Sequence, residues 1–166
     1  MEIFKVDFYK KEDGTKPVGQ FIRGLDVKMK AKVVANMHLL EEYGNMAREP
    51  LSKELDEGII TRERRPVLMS DLQELTDELM QDSEFAKEYE AIQPEVNITR
   101  AILEARINAG MTQVELSEKS GISQADISRL EKGTRNPSLN LLKRLAEAMD
   151  STLNIEFIPN KSTVNN

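Results

Sequence analysis

The sequence predicts a mainly α-helical protein, and three observations carry that prediction. Apolar residues recur at helical spacing over much of the chain, two short helical runs are joined by a glycine turn, and a strand-like opening has no neighbouring strand to pair with.

Element by element, Ile3–Tyr9 alternates apolar and polar residues as a strand does, and the stretch from Lys10 to Pro17 contains the turn pair Asp13-Gly14. From Val18 to Tyr43 the residues Phe21, Ile22, Leu25, Met29, Val33, Val34, Met37 and Leu40 fall at helical spacing. This gives one or two helices with a possible break near Gly24-Leu25-Asp26, and Gly44 closes the run as a C′ residue would. The charged stretch Thr61–Pro66 reads as a linker, with Arg62, Arg64 and Arg65 as linker charge. A new helix is expected from Ser70, where Ser70 and Gln73 fit a capping box and Leu72, Leu75, Leu79, Met80 and Phe85 form an apolar stripe on an acidic helix. Pro94 marks a boundary, followed by helical runs over 97–108, 112–119, 123–131 and 138–149. Leu153–Ile158 alternates as a short C-terminal strand, and the polar residues from Asn160 to Asn166 are expected to be disordered. The divisions are 1–59, a linker at 60–68, an acidic arm helix at 69–95, a compact helical domain at 96–158 and a tail at 159–166.

Composition removes several function classes. The chain of 166 residues has no cysteine, which excludes disulfides, thiolate metal sites and a cysteine nucleophile, and its single histidine, His38, leaves no imidazole cluster for a metal. His38 lies inside a helical run and reads as a surface or half-buried histidine; Met29, Met37 and Met46 read as packing. No cofactor is expected. No apolar run approaches the roughly 18 residues of a membrane span, and the opening residues lack a signal-peptide core, so a cytoplasmic protein without membrane contact is expected.

The net charge of −6 argues against a polyanionic partner until it is divided: residues 1–68 carry +1, residues 69–95 carry −8 and residues 96–166 carry +1. Within the last segment, between Gln124 and Arg144, five basic residues (Arg129, Lys132, Arg135, Lys143, Arg144) stand against two acidic ones (Asp126, Glu131), making a local positive patch. The same segment holds the informative motif, Met111–Gly133. Thr112 and Glu115 form a capping box, Leu116 faces inward, Gly121 supplies a positive φ, Ser123 caps a second helix, and Ile127 and Leu130 bury its inner face. Gln124, Ala125, Asp126, Ser128 and Arg129 are left outward, the geometry of a helix whose N-terminal residues reach base edges in the major groove.

At these residues the chain resembles the lambda-repressor-like (Xre) helix-turn-helix family over about Asn97 to Met149, through Thr112-Gln113, the turn Gly121-Ile122-Ser123-Gln124, the exit Ile127–Gly133 and the later Pro137-Ser138-Leu139. The resemblance implies that Gln113 touches a phosphate and braces Gln124, and that Gln124, Ala125 and Arg129 read bases. It further implies that Arg106 and Glu131 form a structural ion pair, and that Lys132, Thr134, Arg135 and Asn136 follow the DNA backbone. Asp126 departs from the pattern by placing a negative charge at the groove face, either to accept from a cytosine amine or to reject wrong sequences.

The flanks carry a second resemblance. The acidic stretch Asp82–Glu90 is similar to the arm of HigA-type antitoxins, and residues 1–59 resemble the N-terminal half of HigB-type, RelE-like toxins, through the Asp13-Gly14 turn with Lys16-Pro17-Val18, the helical hairpin, Glu49-Pro50-Leu51 and Lys53–Ile59. In those toxins a sheet with basic catalytic residues follows, and here it is missing, so no catalytic residue transfers and no enzyme activity is expected. The apolar faces of this fragment need cover, for which Leu72–Ile92 is the nearest candidate. The resemblances imply an antitoxin and autorepressor that binds a palindromic operator as a homodimer, through the last helix or Leu153–Ile158, with a HigB-like toxin as a possible partner. An mRNA-cleaving fusion and an ordinary repressor with an N-terminal sensing domain are the alternatives.

Overall fold

The computed structural model describes residues 5–44 and 70–158. Among them are eight helices and no strand: α1 (Pro17–Gly24), α2 (Val27–Tyr43), α3 (Asp71–Leu79), α4 (Ser83–Ala91), α5 (Gln93–Asn108), α6 (Gln113–Ser120), α7 (Gln124–Glu131) and α8 (Leu139–Ala148). The expectations for Glu49–Ile59, the 60–68 linker and the 159–166 tail lie outside the described residues.

The break between α1 and α2 falls at Leu25-Asp26, where Asp26 caps α2 by accepting the Met29 N–H at 3.1 Å. The N-terminal strand does not form among the described residues. Val6 and Phe8 are buried while Asp7 and Tyr9 are exposed, so the alternation survives without a ladder. Two side chains and one main-chain N–H replace the missing strand partners: the Val6 N–H donates to Glu41 Oε1 (2.9 Å), the Phe8 N–H to Asp71 Oδ2 (2.8 Å), and the Val6 carbonyl accepts from the Leu72 N–H (3.4 Å). The C-terminal strand over Leu153–Ile158 is likewise absent, because no described neighbour completes it; Ile155, Phe157 and Ile158 are exposed.

The acidic arm is two helices rather than one. A turn at Met80-Gln81-Asp82 separates them, and Asp82 starts α4 by accepting the Glu84 N–H at 2.9 Å. The turn brings Leu72, Leu75 and Leu79 of α3 and Phe85 of α4 into one core with Val6, Phe8, Ile22, Ala31 and Val34. The arm thus covers the apolar face of the N-terminal helices, and Lys16 pairs with Asp71 and Arg23 with Glu78 (2.6 Å) at its edge. Pro94 sits in the first turn of α5, a position that needs no N–H, so the helix begins at Gln93 and not beyond the proline.

A second core joins Ile102 of α5, Leu116 of α6, Ile122, Ile127 and Leu130 around α7, and Leu145, Ala148 and Met149 of α8. A third, smaller cluster sets Ala35, Leu39 and Tyr43 of α2 against Val96 and Leu103 of α5. At its rim the Tyr43 hydroxyl donates to Glu104 (2.8 Å) and Arg100 Nε to Glu42 (2.9 Å). Burial, then the Glu104 carboxylate, raises the Tyr43 phenol above its ordinary range and keeps it a donor. Helix α5 therefore has one face in each half of the molecule.

Candidate nucleic-acid interface

Local sequence dictates the helix pair α6–α7. Thr112 Oγ1 accepts the Glu115 N–H (3.2 Å) while Glu115 Oε2 accepts the Thr112 N–H (2.7 Å), a closed capping box. These bonds hold the Glu115 carboxyl below its usual range. Gly121 ends α6 at φ +65°, where a side chain would be strained, and the Ser117 hydroxyl donates to the Ile122 carbonyl at 2.7 Å inside the turn. Ser123 then caps α7, accepting the Asp126 N–H at 3.1 Å. Leu116, Ile127 and Leu130 are fully enclosed, which fixes how the two helices cross.

Beneath the outward face lies a charged knot. Glu131 Oε1 accepts from Arg106 Nε (2.6 Å), Oε2 accepts from Arg106 Nη2 (3.0 Å), and the Gln113 amide donates to the same Oε2 (2.8 Å). Arg106 Nη1 also donates to the Met111 carbonyl at 3.0 Å. All three side chains are buried. The bidentate pair ties α5 to α7 and Gln113 adds α6, so one carboxylate joins three helices. The resemblance assigns Gln113 to a phosphate and to Gln124; in the structure its side chain is 1% exposed and its amide is taken up by Glu131 instead. A buried carboxylate with a free lone pair needs a further donor, and Gln113 supplies it.

On the outside, Gln124, Ala125, Arg129, Thr134, Arg135 and Asn136 are exposed, and Asp126, Ser128 and Lys132 are half-buried. All belong to α7 or the loop that follows it, so one surface gathers them. The loop is held back against the helix: the Thr134 N–H and hydroxyl both donate to the Arg129 carbonyl (3.0 and 3.1 Å), and Gly133 takes φ +60°. Asp126 is tied to three partners. Its Oδ2 accepts from the Ser123 hydroxyl (2.8 Å), and its Oδ1 accepts from Arg129 Nη1 (3.2 Å) and from Arg135 Nη1. The Ser123 bond, and then Arg135 and Arg129, hold the Asp126 carboxyl below its usual range. Reading along the sequence misses this contact with Arg135, nine residues away across a loop. The Arg144 guanidinium, which donates to the Ser120 carbonyl at the end of α6 (2.8 Å), is a second contact of this kind.

Residues 102–155 match the family model described as helix-turn-helix. An HTH-type transcriptional regulator of Archaeoglobus fulgidus is 42% identical over 57 residues, covering 34% of this chain and 81% of that protein. The chain belongs to the helix-turn-helix family. An HTH-type regulator of Methanothermobacter thermautotrophicus is similar at 46% identity over 48 residues, 29% of this chain and 70% of that protein. The y4dL regulator of Sinorhizobium fredii is 42% identical over 65 residues, but the matched part is 39% of this chain and spans only 32% of that protein's length. The helix-turn-helix match thus takes in the C-terminal part of α5, from residue 102, all of α6, α7 and α8, and part of the segment after them. No solved structure matches the chain.

Proposed function

We propose that the chain is a sequence-specific DNA-binding transcription regulator, and more closely an antitoxin that represses its own toxin–antitoxin operon while carrying a catalytically incomplete toxin fragment. The observation that supports DNA binding is the surface of α7 and its following loop, where Gln124 and Arg129 stand outward on a rigid, capped helix beside Arg135. In this reading Gln124, Ala125 and Arg129 read base edges, with Asp126 and Ser128 beside them, while Lys132, Thr134, Arg135 and Asn136 hold the phosphates. Gln113 contributes from within, by holding Glu131.

A single such helix reads only a few base pairs. The chain therefore acts as a homodimer on a palindromic operator with half-sites about 34 Å apart, the dimer forming through α8 or Leu153–Ile158. The antitoxin reading draws on the acidic arm. Its apolar stripe is covered in cis by the toxin-like helices α1 and α2, so a separate HigB-like toxin would compete with them. The protein works in the cytoplasm and is not an enzyme; no described helix is long and apolar enough to cross a membrane.

The test is selection from a random duplex pool by the purified full chain, followed by mobility shifts at several salt concentrations. Enrichment of an inverted repeat is the expected result, and absence of any enriched sequence refutes the reading. Expression of the full chain, or of residues 1–68, should neither arrest growth nor cleave translated mRNA; arrest would favour a nuclease instead.

A further inference from the structure

We infer that Asp126 is a positioning and specificity-determining residue, which clamps the two arginines of the outward face together and makes the surface penalise DNA that Arg129 does not read. The inference rests on the DNA-binding reading above and goes beyond it, because it assigns Asp126 a role without any base contact.

Three observations carry it. First, one carboxylate oxygen accepts from both Arg129 on α7 and Arg135 in the following loop, so a single group links a helix residue to a loop residue. Second, the carboxylate is the recessed member of the group. Its side chain is 28% exposed against 62% for Arg129 and 45% for Arg135, so the guanidinium groups project past it. Third, the other carboxylate oxygen is fixed by the Ser123 hydroxyl at 2.8 Å, and the Asp126 N–H is fixed by the Ser123 oxygen at 3.1 Å. The carboxylate is therefore anchored to the first turn of α7 and cannot swing to follow either arginine. The loop side is anchored too, by the two bonds from Thr134 to the Arg129 carbonyl.

This arrangement has a physical consequence. The clamp removes one unit of positive charge from the outward face, which weakens attraction to any phosphate backbone. On a matching site, Arg135 turns to a phosphate and Arg129 to a base, and their contacts replace those made by Asp126. On a mismatched site Arg129 gains nothing from leaving, the clamp stays closed, and the carboxylate opposes the nearby phosphates.

The experiment compares the full wild-type chain with Asp126→Asn and Asp126→Glu on two duplexes of equal length, one selected by the wild type from a random pool and one a shuffled sequence of the same composition. Asp126→Asn keeps the shape and removes the charge. It should bind the shuffled duplex about three- to ten-fold more tightly, steepen the slope of log affinity against log salt by about one, and lower the selected-to-shuffled ratio several-fold. Asp126→Glu restores the charge and should return the salt slope to the wild-type value. A purely structural role would instead lower the thermal midpoint and weaken both duplexes together with the slope unchanged, and that result overturns the inference, as does an Asp126→Asn chain indistinguishable from wild type. A wild-type chain that binds no duplex at any salt overturns the DNA-binding reading and this inference with it.

Discussion

Glu131 shows how much a single side chain organises. Its carboxylate is fully enclosed and holds Arg106 by two bonds and Gln113 by one. Removing one member of a buried ion pair leaves the other's charge without its counter-ion, so Glu131→Gln is expected to cost about 3–5 kcal/mol of stability, read from the denaturant midpoint of the full chain. Gln113→Ala leaves the ion pair in place and should cost less, about 1–3 kcal/mol. On the outer face the two arginines separate by role: Arg129→Ala should relax preference at one base pair by about 1–3 kcal/mol, whereas Arg135→Ala should weaken all duplexes equally and flatten the salt dependence. Equal affinity and selectivity in both variants would contradict the proposed docking. The outward placement of Gln124 and Arg129 is legible in the sequence, because a helix with Ile127 and Leu130 inside leaves few positions outside. The inward turn of Gln113 is not, because it depends on a carboxylate 18 residues away.

Elements bounded by local chemistry follow the sequence closely, and those that depend on partners do not. Thr112 with Glu115, Gly121, Ser123 and Ser138 each act within three or four residues, and the expected ends of α6, α7 and α8 agree with the structure to within a residue or so. Thr112→Ala should cost about 0.5–2 kcal/mol through loss of the cap, measured by thermal unfolding. By contrast, the strands at both ends are legible only as alternation, which at the N-terminus describes the buried side chains Val6 and Phe8 without saying that a ladder exists, and at the C-terminus describes neither, since Ile155 and Phe157 are exposed. Near the N-terminus Glu41 takes the place of a strand partner. Burial pushes its carboxyl up, but hydrogen bonds from His38, Ser70 and the Val6 N–H outweigh that and leave it below the usual range. A carboxylate lowered on folding stabilises the protein above its unfolded pKa, and that contribution disappears as pH falls through the folded value. The acid limb of the stability curve should therefore be shallower in Glu41→Gln than in wild type, as followed by denaturation across the carboxylate range.

At the scale of the whole molecule, two cores share one helix. Residues Ile102 and Arg106 of α5 face α7, while Val96 and Leu103 face Ala35, Leu39 and Tyr43 of α2. Meanwhile Leu72, Leu75, Leu79 and Phe85 are enclosed by the N-terminal helices. A chain starting at Met69 would leave these apolar side chains uncovered, and it is expected to bind a hydrophobic dye and self-associate in light scattering while keeping the folded core around Leu116 and Ile127. A monodisperse, dye-silent Met69 chain would show that the two halves fold without need of each other. The two-sided character of α5 also bears on how such proteins are assembled over generations. The family-model match begins within this helix, at residue 102, yet the helix extends N-terminally from there into a surface shaped for α2. Moving the DNA-reading part into another host would therefore require either the companion helix to travel with it or Val96 and Leu103 to be rewritten as polar residues, so that this module is exchangeable only together with its neighbour.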